Sequence, residues 1–266
     1  MPKMKILEEF IRTNYMKISI ITVCYNSEKT IQDTLSSIEA QTYENIEYLV
    51  VDGGSTDSTL QILEKNQHII SKYISEPDSG LYDAMNKGLS MASGDVIGFI
   101  NSDDMLDQAT CISEIVKVFE NSGAEIVYGD TLYVNPENTE KIQRYWQAGP
   151  FDIKAYKRGW MTPHLSTYIK KSVYEKFGKF NTDFKIAADY ELMLRFIVKN
   201  KITPEYLPMV IARMRSGGVS NSSMLNILRS NVEVYRSWKI NLLNVSISIV
   251  FIKPLMKLAQ FLRKKP

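Results

Sequence analysis

Cysteine and histidine are scarce in this chain. Its 266 residues hold two of each: Cys24, Cys111, His68 and His164. Two distant cysteines in apolar surroundings build no disulfide framework and read as buried free thiols of a reducing compartment. So few of these ligands also exclude a zinc centre made of histidine and cysteine. Charge of one sign is lacking as well. With 32 basic and 30 acidic residues the formal net charge is +2, and nucleic acid is not an expected partner. Long apolar runs are missing. A spanning helix takes roughly 20 apolar residues, and the longest candidate, "LLNVSISIVFI" (242–252), is about half that and contains asparagine and serine. The first residues, "MPKMKILEEFIRTNYMK", carry acids in their middle and no long apolar stretch, so no secretory signal is expected. These absences describe a cytoplasmic protein.

What is present is an ordinary soluble composition, 44% hydrophobic and 23% charged, in a chain long enough for one large domain with a small appendage. The first half alternates two textures. Short β-branched runs at 18–23, 47–51, 96–100 and 125–129 read as strands. Helical patterns fill Thr30–Gln41, Ser55–Lys65, Leu81–Met91 and Asp107–Glu120. Near-continuous apolar strands between amphipathic helices predict an α/β fold with a mostly parallel central sheet covered on both faces. In such sheets ligands bind at the carboxyl ends of the strands. Residues 131–165 read as loop-rich. A helix is expected over Ala187–Lys199, then a short strand in "LPMVIARM" and helical material to the end.

The oxygen-bearing side chains gather at the strand exits. In "TVCYNSEKT" Tyr25 can stack on a flat base and Asn26 or Ser27 can cap the next helix, or the stretch is a simple turn. In "VVDGGSTDST" Asp52 is an acceptor-only group, suited to an imide N–H or a ribose hydroxyl, or else to its own loop. In "SEPDSGLYDAMNKG" Asp78 and Ser79 look like a helix cap, and Asp83 and Lys87 like a solvated face. The stretch "VIGFINSDDML" turns from apolar to Asn101, Ser102, Asp103 and Asp104 within a few residues. One aspartate there can cap a helix, but a cluster of hard oxygen ligands suits Mg²⁺ or Mn²⁺ shared with phosphates.

In this order, "ISIITVCYN", "VVDGGSTDST", "EPDSGLYDAMNKG", "SGDVIGFINSDD" and "AADYELMLR", the sequence resembles family 2 glycosyltransferases of the GT-A nucleotide-sugar fold, notably bacterial enzymes of capsule, exopolysaccharide or O-antigen synthesis. The likeness covers roughly residues 16–220. It implies that Thr22 and Tyr25 line a nucleobase pocket, that Asp52 accepts from the base, usually uracil, and that Asp78 helps hold the nucleotide-sugar. Asp103, followed by Asp104, matches the family's metal-binding acid in its Asp-X-Asp motif. Asn101 stands where the first aspartate often is, which removes a charge. Asp189 matches the catalytic base, near the start of a helix whose dipole favours the carboxylate; by itself the residue reads as a plain helix cap. His164 falls near the acceptor or donor sugar, or is a satisfied core histidine, and Trp160 can stack on a sugar ring or be an ordinary core aromatic. In "ARMRSGGVSN", Arg213 and Arg215 precede glycines that can close over a diphosphate, with Arg215 the donor-binding candidate; surface arginines on a turn are the plainer account.

The implied activity is inverting transfer of a sugar from a nucleotide-diphosphate donor, UDP-linked, to a saccharide or lipid-linked saccharide. From Arg229 onward eight basic residues face one acid, Glu233. Leu255, Leu258, Ala259 and Leu262 share one helical face flanked by Lys257, Arg263, Lys264 and Lys265. That pattern fits a helix lying on the inner-leaflet membrane surface or one packed on the catalytic domain. The expected division is an extension at 1–15, a catalytic domain at 16–220 and a helical basic extension at 221–266. Two rivals remain at this stage. A sugar nucleotidyltransferase needs a glycine-rich loop after the first strand, where this chain reads "CYNSEKT". A silent scaffold subunit of a polysaccharide-assembly complex would not need Asp103 and Asp189.

Overall fold

The computed structural model describes residues 15–217 and 224–250. The expected extension at 1–15 therefore lies outside it but for Tyr15, as do the glycine loop beyond Gly217 and the apolar face at 255–262. The chain runs β1 (Ile18–Cys24), α1 (Ile31–Glu39), β2 (Ile46–Asp52), α2 (Thr59–Lys65), β3 (Lys72–Ser75), α3 (Leu81–Met91), β4 (Val96–Phe99), β5 (Met105–Leu106), α4 (Cys111–Ser122), β6 (Ile126–Val134) and β7 (Ile142–Trp146). It continues through α5 (Ile153–Tyr156), a 3₁₀ turn at His164–Ser166, β8 (Thr167–Lys170), α6 (Lys171–Phe177), α7 (Ala188–Met193), β9 (Glu205–Arg215) and α8 (Met224–Ile240).

The strands form one sheet in the order β3-β2-β1-β4-β8-β6-β9-β5, with β7 paired to β6. β1 is parallel to β2 and β4, and β2 to β3. β6 is parallel to β9 but antiparallel to β7 and β8. The expected parallel arrangement holds for the first four strands, and the second half makes the sheet mixed. β1 is buried at every position, as a central parallel strand of β-branched residues should be. Helices cover it through apolar faces at helical spacing: Ile31, Leu35 and Ile38 on α1, Ile112, Ile115, Val116 and Phe119 on α4. Gly88 lets α3 lie directly on β1, because a Cβ there would strike the Ile21 side chain.

Residues 131–165 are less irregular than their composition suggests. β6 continues to Val134 and turns back as β7. The conspicuous acid in that strand, Asp130, is buried and accepts bonds from the Tyr145 hydroxyl, Ala148 N (2.8 Å) and the Tyr206 hydroxyl (2.9 Å). A buried carboxylate so supplied with donors is compatible with a strand interior. The expected helix at Ala187–Lys199 is present, but it changes to π-helical hydrogen bonding over Leu194–Lys199.

Candidate functional site

The exits of β1, β2 and β4 lie side by side and are stitched together. Asn26 takes a left-handed conformation (φ 49°), which asparagine tolerates, and its Oδ1 accepts from Thr56 N at 2.9 Å. The Ser27 hydroxyl meets that of Ser102 at 2.8 Å, tying the β1 exit to the loop after β4. Tyr25 stands at the rim, 62% exposed, with its ring free for stacking.

Thr22 does not line this rim. It lies within β1, a strand covered on both faces, where it is fully buried and accepts from the Tyr48 hydroxyl at 3.0 Å. Asp52 is also withdrawn from any ligand. Its Oδ2 accepts from Gly54 N (3.1 Å), Ser55 N (2.9 Å) and the Ser75 hydroxyl (2.7 Å), while Oδ1 takes the Ser55 hydroxyl. Burial pushes this carboxyl up, but the bonds from Ser55, Ser75 and Gly54 win and hold it below the usual range. Asp52 thus bonds its own loop, the plainer of its two readings. Beside it, a Cβ on Gly53 would stand 2.5 Å from Asp78 Oδ2, so the glycine makes room for that acid. Asp78 does not cap α3, whose N-cap is Gly80; its Oδ1 accepts from Gly80 N at 2.7 Å. Tyr25 and Asp78 remain as the candidates for holding a nucleoside.

The acidic pair after β4 divides its work. Neither aspartate caps a helix, since α4 starts only at Cys111. Asp104 is buried, accepting from Arg215 N (2.8 Å) at Oδ1 and from Asn101 Nδ2 (3.0 Å) at Oδ2. It braces the loop, which corrects its reading as a metal ligand. Asp103 is half-buried, and among the described residues only its carbonyl is used by a neighbour, accepting from Arg215 Nη1 at 2.5 Å. Burial pushes both carboxyls up, and Asp103 adds to the effect on Asp104. Arg215 is itself committed to Asp33, the Pro136 carbonyl (3.1 Å) and Asp103, so it is a brace and not a cation free to close over a diphosphate. Arg213 likewise bonds Asp107 at 2.5 Å.

Among the described residues no three His, Cys, Asp or Glu side chains gather as a complete metal cage. The donor set still fits a hard divalent cation that is completed by phosphate oxygens and water. Among the described residues the Asp103 carboxylate is uncommitted, and Asn101 Oδ1 is a buried acceptor with no partner.

Asp189 is the second residue of α7. Its Oδ1 accepts from Tyr190 N at 2.8 Å and lies 3.4 Å from the Tyr82 hydroxyl, which also donates to the Ile186 carbonyl at 2.8 Å. Phe180 connects this acid to the β4 exit: its ring stacks on Tyr82 at 5.6 Å and meets Phe99, the last residue of β4, edge-on at 5.4 Å. In the Tyr133 side chain, burial pushes the phenol up and Arg144, with its Cζ 3.6 Å from the ring centre, pulls it down. His164 joins the same neighbourhood. Its ring stacks on Phe99 at 5.5 Å and meets Phe180 edge-on at 5.8 Å. Burial pushes the imidazole down against the opposing charge of Asp189, and both ring nitrogens are shielded and unpartnered. Trp160, by contrast, packs among Tyr128, Phe151 and Tyr156 in an aromatic cluster, which accounts for it without a sugar ring.

Tyr82, Tyr133 and Arg144 escaped the sequence reading. Tyr82 lies inside a quoted motif, and the alternation of "GDTLYV" with "QRYW" carries the signal of a hairpin that would have brought Tyr133 and Arg144 together. A cavity of about 360 Å³ lies at the opposite end of the sheet, under the first residues of β6 and β9, and shares no residue with this site.

The sequence matches the profile of Glycosyl transferase family 2 over residues 19–177. An uncharacterized glycosyltransferase of Mycobacterium tuberculosis is 31% identical over 185 residues, covering 69% of this chain and 70% of that one. A PGL/p-HBAD biosynthesis glycosyltransferase of Mycobacterium bovis is 28% identical over 211 residues, 77% and 79% of the two chains. Among solved structures, S. aureus TarS 1–349 in complex with UDP-GlcNAc superposes with a TM-score of 0.68 at 22% identity, covering 93% of this chain and 72% of that one. A mannosyltransferase from Pyrobaculum calidifontis in complex with GDP-Man and Mn²⁺ does so at 0.64 and 17%, covering 94% and 71%.

Proposed function

Since the chain belongs to glycosyl transferase family 2 and has the GT-A fold, we propose that it moves a sugar, with inversion, from a UDP-linked donor to a saccharide acceptor carried on a lipid, in bacterial surface polysaccharide synthesis. The observation that supports the reading is a run of ring contacts from the end of β4 to the α7 aspartate: Phe99 meets Phe180 at 5.4 Å, Phe180 stacks on Tyr82 at 5.6 Å, and the Tyr82 hydroxyl lies 3.4 Å from Asp189 Oδ1. A UDP-GlcNAc complex of a structural neighbour supports the donor class, and the relative named for PGL/p-HBAD biosynthesis supports a glycoconjugate product.

In this scheme Tyr25 stacks on the base and Asp78 holds the nucleoside. Asp103, with Asn101 Oδ1, would hold Mg²⁺ or Mn²⁺, whose positive charge offsets that developing on the departing diphosphate. Asp189, oriented by Tyr190 N and the Tyr82 hydroxyl, takes the proton of the acceptor hydroxyl as it attacks the anomeric carbon from the face opposite the leaving group. His164, packed between Phe99 and Phe180 with its imidazole pushed down by burial, adds a wall beside that base.

The peripheral membrane role belongs to the same proposal. No helix among the described residues is long and apolar enough to cross a bilayer. The outer face of α8 carries Leu225, Leu228 and Val232, each more than half exposed, between Arg229, Arg236 and Lys239. That pairing of aliphatic and cationic side chains suits an anionic lipid surface.

Asp189→Asn tests the chemistry. The amide keeps the shape but cannot accept the proton. Transfer is expected to fall by about 100-fold or more, with UDP binding in Mn²⁺ unchanged by calorimetry. Transfer at near wild-type rate would remove Asp189 as the base.

A further inference from the structure

The segment that delivers Asp189 is held from outside the catalytic half of the chain. Ala187, the N-cap of α7, makes no side-chain cap bond of its own. Instead the N–H groups of Lys185 (3.0 Å), Ile186 (2.9 Å) and Ala187 (2.8 Å) all donate to the carboxylate of Glu233, on α8. On the far side of Asp189 the same helix and the residue that follows it, Asn241, grip again. Trp238 Nε1 donates to the Tyr190 hydroxyl at 3.0 Å and Asn241 Nδ2 to Glu191 Oε1 at 2.9 Å. Asp189 lies between the two grips.

We propose that Glu233 is a positioning residue for Asp189, so that α8 is part of the catalytic apparatus and not an appended tail. This rests on the assignment of Asp189 as the base. The chain of contacts is short. Glu233 fixes the peptide units of residues 185–187. That places the Ile186 carbonyl on the Tyr82 hydroxyl at 2.8 Å, and the same hydroxyl lies 3.4 Å from Asp189 Oδ1. Three N–H groups on one carboxylate form a charge-assisted cradle that no neutral side chain reproduces. A glutamine in its place has one acceptor oxygen, and its amide N–H₂ would face a backbone donor. The second grip and the buried Val234, Ser237 and Trp238 remain to keep α8 docked, so Glu233→Gln should fold. What it loses is the orientation of the loop, and small misplacements of a reacting group cost rate far more than affinity.

The test uses the full chain and three proteins: wild type, Glu233→Gln and Asp189→Asn. Hydrogen exchange of the amides of residues 185–187 is followed without any donor. UDP affinity in Mn²⁺ is measured by calorimetry. Turnover is followed as UDP release from whichever UDP-sugar the wild type consumes. In Glu233→Gln the amides should exchange at least tenfold faster, on the order expected for loss of a charged hydrogen-bond partner. kcat should drop by roughly 10- to 100-fold, and UDP affinity and KM should stay within about twofold. Unchanged exchange, an undiminished kcat, or a parallel loss of UDP affinity would each overturn the positioning role. The two readings separate cleanly. An active Asp189→Asn discards the base assignment, whereas an inactive Asp189→Asn beside a normal Glu233→Gln discards only the role of Glu233. The exchange arm needs no substrate and decides by itself whether Glu233 holds the loop.

Discussion

Asp103 and Asp104 are chain neighbours in opposite employment. Asp104 turns inward and joins β9 to the β4 exit through Arg215 N. Asp103 keeps its carboxylate uncommitted. The pair therefore allows a single-residue test of metal use. Asp103→Ala cuts no side-chain bond to a neighbour, so folding should be spared, while the Mn²⁺-dependent gain in UDP affinity should shrink by roughly 2 kcal/mol, about 30-fold. Calorimetry with and without Mn²⁺ reads it, and stripping the wild type with EDTA should reproduce the variant. A gain that survives Asp103→Ala would move the metal site elsewhere. At this scale the sequence identified which residues are chemically unusual but not what each one faces. Thr22 and Tyr25 are three apart on one strand exit, yet one is sealed in the core and the other stands in solvent. Asp52 and Arg215 had the expected location, and partners distant in sequence, Ser75 and Asp33, consumed them.

Elements were legible where periodicity alone decides them. The limits of α3 and the core of β1 follow from apolar spacing and agree with the structure. β7 was hidden because its pairing with β6 depends on a hairpin whose central strand contains a buried acid, and Asp130 looks like a loop residue until Tyr145, Ala148 and Tyr206 supply its donors. A second buried acid makes the opposite end of the sheet testable. Glu47 on β2 accepts from Lys17 Nζ (2.9 Å), Ser19 Oγ (2.6 Å), Ser93 N (2.7 Å) and Ser93 Oγ (2.6 Å). Burial pushes its carboxyl up, but the bonds from Ser19, Ser93 and Lys17 outweigh that and bring it from 4.5 down to about 2. A depressed folded value means stabilisation complete above the unfolded value and lost as pH falls through the folded one. Glu47→Gln should thus cost up to about 3 kcal/mol at pH 7. Its gap from the wild type should close as pH falls from 4.5 towards 2. Urea unfolding at neutral and acid pH checks this; a gap independent of pH would show that the carboxylate charge is not what β2 uses.

For the whole molecule, α8 is the decisive element, because its inner face holds the Asp189 loop and its outer face is aliphatic and cationic. The full chain should sediment with phosphatidylglycerol vesicles and not with phosphatidylcholine vesicles, each basic residue contributing about 1 kcal/mol at an anionic surface. Leu228→Asp should weaken sedimentation without lowering Tm, since that side chain is 56% exposed; equal binding by wild type and variant would exclude this face as the contact.

The sequence by itself determined the strand and helix textures, the α/β class, the oxygen-rich ends of β1, β2 and β4, and the motif order that marks a nucleotide-sugar transferase. The first three follow from spacing of a few residues and from backbone rules that act locally, and the last from likeness to family 2 glycosyltransferases. Only the tertiary structure decided which acids are spent on the fold, that the rings of Phe99, Phe180 and Tyr82 link the β4 exit to Asp189, and that Glu233 bonds the loop before Asp189. The physical reason is that a buried carboxylate must find donors wherever the chain brings them, and nothing in the local pattern says which distant backbone N–H or hydroxyl will arrive.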